Sequence, residues 1–359
     1  MNAFVMISML LIFALGMFLL WREGLLKNTA HLVFAFLFMA GAVVIRYFLL
    51  DFESGDYQTF LAPWTQFFRE HGGFKALGLS VGNYNLPYLY FLALFSYIDI
   101  SELYLIKLLS IVFDVLLAWA CMKLCSLFTK GRLRLIVCFF AVALFPTVVL
   151  NGAYWAQCDS IYTFFAVLSL YLALSDKPVG AMVTITASFA FKLQAVFVMP
   201  IFFVLLVAKK IKFKHLFIFP AAYLVMVLPA VIAGRPLWDT LTLYFSQAGT
   251  VGDAMNYNAP SLTSMFRWGE NIEMWSMLLV IAAFVFMFIV FAVAIANRKK
   301  LDDRVIFGMA VLLAVGIPFL LPHMHDRYFF TGGMMCIVLA VSDLRFAVMP
   351  ILAELASLH

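Results

Sequence analysis

Apolar runs of about 18 residues or more recur along the whole chain, and most of its charge is confined to the short segments between them. A run of that length is not needed to fill a water-soluble core; as a helix it crosses a bilayer. The composition agrees. Only 12% of the 359 residues are charged and 65% are hydrophobic, where a soluble domain carries roughly 25% charged residues. Such a chain cannot cover a water-facing surface. The formal net charge of +5 resides in small Lys/Arg clusters between the runs, where positive charge sets topology. No basic patch suited to nucleic acid is present.

Divided at these clusters, the runs predict an all-α polytopic integral membrane protein of about eleven spans, a single domain over residues 1–359. The first spans are Phe4 to Leu20 and Ala30 to Leu50; Met1 to Leu20 has neither a basic leader nor a small-residue cleavage site, so it reads as a span and not as a signal peptide. Arg22 and Lys27, then Lys130, Arg132 and Arg134, then Lys209 to His215, then Arg298 to Lys300 mark the cytoplasmic side. The long polar and aromatic segments, residues 51–100 and 234–274, fall on the opposite side and are expected to roof a site. Within the first, Tyr57 to Glu70 has the spacing of an amphipathic helix on a membrane surface. Pro87 to Ile98 is too short to cross and reads as interfacial or re-entrant. The span Leu103 to Phe128 carries Lys107 and Asp114 seven residues apart on one face. Charges inside a span face protein rather than lipid, either as a packing ion pair or in a functional role.

Cys121, Cys125, Cys138 and Cys336 lie inside apolar runs and Cys158 just outside one; none has a partner pattern for a metal or a disulfide framework. His323-Met324-His325 has no third ligand nearby in the sequence, so no metal and no other cofactor is expected.

The outer segments carry the groups able to do chemistry: Asp56; Gln157 and Asp159; Lys192 and Gln194; and His323, His325, Asp326 and Arg327. Asp56 stands where the chain leaves the second span, in position to act as a general base. Cations at the lipid–water boundary suit a phosphate whose lipid tail stays in the bilayer: Arg as a fork, Lys as a point charge, His when protonated.

In order along the chain, Gly55-Asp56-Tyr57 with Trp64, Asn83-Tyr84-Asn85-Leu86-Pro87-Tyr88, Trp155-Ala156-Gln157-Cys158-Asp159-Ser160, Phe191-Lys192-Leu193-Gln194, Asn258-Ala259-Pro260 and Met324-His325-Asp326-Arg327-Tyr328-Phe329 form a set. That set resembles the C-superfamily (GT-C) glycosyltransferases, most closely the bacterial branch related to the second mannosyltransferase of GPI-anchor assembly. It is also similar to the glucosyltransferases that extend dolichol-linked oligosaccharides. The resemblance implies a GT-C-like helical bundle that takes a sugar, mannose by preference, from a polyprenyl-phosphate donor. Transfer would invert the anomeric carbon, on the non-cytoplasmic face of a bacterial inner membrane, with a glycan, lipid or protein as acceptor. It maps the catalytic base onto Asp56 and the donor contacts onto Tyr57, Asn83, Tyr84, Gln157, Asp159, Lys192, Gln194, His325, Asp326 and Arg327. Asp326 stands where the family often has Glu. Asn83-Tyr84-Asn85-Leu86 replaces an Asp-Tyr-Pro-Pro of some relatives, which leaves Asp56 as the lone base. The competing expectations are a polar-lipid or glycan flippase, for which Lys107 and Asp114 would mark a path, and a ligase that moves a whole glycan.

Overall fold

The computed structural model describes residues 3–82, 84–248, 254–266, 268–269 and 271–357. They fold almost wholly as helices. α1 (Ala3–Arg22) and α2 (Thr29–Leu49) pack together across a short connection. The side chain of Asn28 accepts from the Ala30 amide and caps the start of α2. A π-helical turn, Tyr57–Leu61, leads into α3 (Ala62–Glu70), followed by α4 (Leu86–Phe95), which Asn85 caps. α5 (Glu102–Cys125) is the central pillar: 72% of its most apolar stretch is buried, against 17–44% in the other long apolar helices.

Around it stand α6 (Arg132–Ala143), α7 (Pro146–Val149), α8 (Asp159–Leu174) and α9 (Pro178–Phe191). Pro146 cannot donate into the preceding turn, and the axis bends there by 50° before a second π-helical turn, Leu150–Tyr154. α10 (Ile201–Val207), α11 (Phe213–Leu216), α12 (Ile218–Ile232) and α13 (Leu237–Ala248) follow. The chain then runs through strand β1 (Asn256–Tyr257), α14 (Ile272–Ala296), α15 (Asp303–Leu320), strand β2 (Met324–His325), α16 (Phe330–Ser342) and α17 (Val348–Ser357).

Among the described residues six helices are long and apolar enough to cross a membrane: α1, α2, α5, α11 with α12 (Phe213–Ile232), α14 and α15. The bent α6–α7 pair makes a seventh. Large side chains on their outer faces, such as Leu10, Phe36, Phe48, Val225, Phe284 and Phe288, are exposed, as lipid contact requires. The chain is therefore an integral membrane protein. The remaining apolar runs among the described residues form shorter helices, so six or seven spans are long enough by themselves and the expected eleven are not established. The shortening has visible causes. Pro146 splits one run, and Lys192, extended at φ −153°, separates α9 from a 3-10 turn at Leu193–Phe197.

The charges inside α5 do not pair with each other. Lys107 Nζ donates to the carbonyls of Leu49, Leu50 and Phe52, at 3.0, 2.9 and 2.6 Å. It thereby satisfies acceptors orphaned at the end of α2. Asp114 instead receives Arg46 from α2 and Ser160 from α8. Spacing along one helix placed both charges on one face but could not show that neighbouring helices supply the partners.

Two apolar cores result. The larger is built on α5, α6, α8 and α16. The smaller packs α3 and α4 against the start of α5 and against Tyr223, Val227 and Ala230 of α12. It holds α3 and α4 over the end of the bundle where the polar segments meet.

Candidate functional site

Asp56 precedes the first π-helical turn, and Gln157 and Asp159 follow the second. Such turns are frequent at functional sites. The Ser54 hydroxyl donates to the Trp155 carbonyl at 2.7 Å and ties the two segments together. Ala156 holds a left-handed φ of 58°, which a non-glycine residue adopts at a cost of order 1–3 kcal/mol when its surroundings dictate it. That twist lets the Gln157 amide donate back to the Asn151 carbonyl at 2.8 Å, while Ser110 of α5 donates to the Gln157 carbonyl at 2.7 Å. Asn258 (φ 61°) and His323 (φ 60°) are likewise left-handed, in the segments that close the other side.

Asp56 is where the segments converge. Its Oδ2 accepts from Gln157 Nε2 at 2.8 Å and from an Arg327 Nη at 2.7 Å. Beside it Lys192, at the end of α9, donates to Asp159 Oδ1 at 2.5 Å, and Asn151 donates to the other oxygen of Asp159 at 2.8 Å. Lys192 Nζ also lies 6.0 Å from the Tyr84 ring and 5.8 Å from the Tyr162 ring, within cation–π range. β1 and β2 pair in parallel, Tyr257 opposite His325. The two rings stack at 4.8 Å, and Tyr328 meets the imidazole edge-on at 5.2 Å.

These groups enclose a cavity of about 670 Å³, lined by Asp56, Gln157, Lys192, Gln194, His325, Arg327 and Tyr84 among others. Gln157 Oε1, Gln194 Oε1 and Arg327 Nε are buried without a hydrogen-bond partner, and all three belong to residues of its wall. Three of the expected contacts sit one layer back. Asp159 is fully buried behind Lys192. Asp326 accepts from the Arg327 amide at 2.7 Å and shapes the turn that presents it. Tyr57 is buried in the smaller core. Asn83 lies outside the described residues. Among the described residues no cluster of His, Cys, Asp or Glu gathers to hold a metal. His323 and His325 diverge: the Nδ1 of His323 donates to the Ala254 carbonyl at 2.7 Å and its Nε2 meets the Ser276 hydroxyl at 3.1 Å. Sequence reading gave no site role to Asn151, Ser110 or the cavity-lining Phe60 and Tyr257, and it named Trp64 only as a member of the motif set. They are neutral residues whose place only the folded chain reveals.

The electrostatics follow from the pairing. Burial pushes the Asp56 carboxyl up, but the hydrogen bond and charge of Arg327 outweigh it, Gln157 adds to them, and the carboxyl sits below its ordinary range. Burial and the neighbouring Arg327 hold the His325 imidazole below its usual value, so it is neutral near pH 7. Arg327 and Lys192 each already face a carboxylate. No known family model matches the chain, and no curated protein is similar enough to be counted a relative.

Proposed function

We propose that this protein is an inverting glycosyltransferase that moves one hexose from a polyprenyl-phosphate donor to an acceptor hydroxyl. The observation that carries this reading is a carboxylate, Asp56, held by Gln157 and Arg327 from distant segments at the wall of a sugar-sized cavity beside Lys192. The resemblance to the GT-C glycosyltransferases supports it. From that resemblance come mannose as the favoured sugar and the non-cytoplasmic face of a bacterial inner membrane as the location.

In this mechanism Asp56 takes the proton of the acceptor hydroxyl as its oxygen attacks the anomeric carbon. The bond from that carbon to the phosphate oxygen breaks, and the electron pair leaves with the polyprenyl phosphate. Arg327 and Lys192 stabilise that anion from positions fixed before reaction. Gln157 orients the carboxylate. The rival transporter reading took Lys107 and Asp114 as marks of a path; both side chains are held by protein partners, Lys107 by carbonyls at the end of α2 and Asp114 by Arg46 and Ser160.

The test uses the purified protein in a bilayer with polyprenyl-phosphate mannose and a panel of glycan, lipid and peptide acceptors. Mass analysis of the product is expected to show a single hexose increment. A whole-glycan increment supports a ligase, and no increment with any acceptor rejects the reading.

The pH dependence follows from the sign of the Asp56 shift. A base acts deprotonated, and its carboxyl lies below the ordinary range. Activity as kcat/KM should therefore hold on acidification until below about pH 4 and then fall. Arg327→Gln removes the pairing that lowers the carboxyl and leaves the burial that raises it, so the acid limb should move to higher pH. A wild-type limb near pH 6.5 reports a histidine instead and overturns the assignment.

A further inference from the structure

Asp56, Phe60 and Trp64 recur at four-residue intervals on the helical segment after α2, and all three line the same cavity. Eight residues of helix extend about 12 Å, so the row is long enough for more than one sugar ring. Trp64 is positioned with care. Gly82, left-handed at φ 62°, lies against one face of the indole: a Cβ placed there would stand 2.5 Å from Cε2 and 2.8 Å from Cδ2 and Cζ2. Only glycine combines that backbone conformation with that approach. Tyr84 meets the indole edge-on at 5.3 Å and 64°, and Phe60 leans against it at 5.8 Å. One face is closed by backbone, the sides are braced by rings, and the remaining surface lines the cavity.

We propose that Trp64 is a stacking platform for a pyranose ring inside this cavity. The proposal rests on the glycosyl-transfer reading for its source of sugar. The negative face of an indole suits the polarised C–H groups of one side of a pyranose. The groups around it suit the hydroxyls at the ring's rim: Asp56, Asn85 and Gln157 line the same cavity. An isoprenoid tail would leave those polar groups unused. The ring bound there is that of the donor or that of the acceptor, and kinetics tell them apart.

Trp64→Ala and Trp64→Phe are compared with wild type in the hexose-transfer assay. Trp64→Ala is expected to raise the KM of either polyprenyl-phosphate mannose or the saccharide acceptor by about tenfold, with kcat less affected. Trp64→Phe, which keeps a ring and the fold, should raise the same KM about threefold. The KM that moves names the source. A second readout needs no turnover: mannobiose is titrated into wild type and Trp64→Phe, and tryptophan fluorescence is followed. A saturable change in wild type that the Phe variant lacks supports the platform, even if transfer is never detected and the wider reading falls. No change in wild type, equal changes in both proteins, or a change produced only by a polyprenol or a serine-containing peptide overturns it.

Discussion

Asp56→Asn is expected to lower hexose transfer by on the order of 10²–10⁴, the contribution of a positioned general base. The substitution is close to isosteric. An Asn oxygen can still accept from Gln157 Nε2 or from Arg327, so the junction of the three segments should persist. Asp56 is also 44% exposed at its side chain, and its change should leave unfolding of the purified protein almost unmoved. What is lost is the capacity to take a proton from the acceptor. The measurement is product formed per enzyme from polyprenyl-phosphate mannose, with donor binding measured separately. Wild-type turnover by Asp56→Asn would remove Asp56 as the base. Loss of donor binding with unchanged kcat would make it a structural partner of Arg327.

The largest stability effect belongs to the buried charge pair between α2 and α5. Arg46 is 3% exposed and Asp114 fully buried. Two guanidinium nitrogens reach Asp114 Oδ2 at 3.0 and 2.9 Å, one of them also reaches the Ala143 carbonyl at 2.8 Å, and Ser160 serves the other carboxylate oxygen at 2.5 Å. Arg46→Met leaves that carboxylate buried and unpaired, which costs about 3–5 kcal/mol. Replacing both partners, Arg46→Met with Asp114→Asn, should return most of the loss, because the desolvation penalty disappears with the charge. Thermal unfolding in one detergent checks both. A single variant as stable as wild type would show that water or lipid headgroups reach Asp114.

The pair also bears on the cavity. Ser160 follows Asp159, and Ser110, one turn before Asp114, holds the Gln157 carbonyl. Disturbing α5 there disturbs the turn that presents both groups.

Much of the site was legible because membrane proteins confine their charge. Asp56, Lys192 and Arg327 announced themselves as polar residues at the ends of apolar runs, and the folded chain brings Asp56 to Arg327 and Lys192 to the same cavity. What stayed hidden was pairing. Lys192 reads as a free cation until Asp159 is seen behind it, and Lys107 and Asp114 read as partners until α2 and α8 offer better ones. Trp64 and Phe60 have the spacing of a membrane-surface helix; periodicity gives the face but not what it faces. The length of each span was also hidden, since hydropathy does not register a π-helical turn or the extended backbone at Lys192.

The bond between Asp56 and Arg327 joins residues 271 positions apart, and the Thr147–Glu354 bond that anchors the bend at Pro146 joins residues 207 apart. During synthesis the first two helices are therefore inserted long before their counterparts leave the ribosome. Closures of such separation are slow to form. The Asp56–Arg327 bond therefore closes only once the last part of the chain has been made.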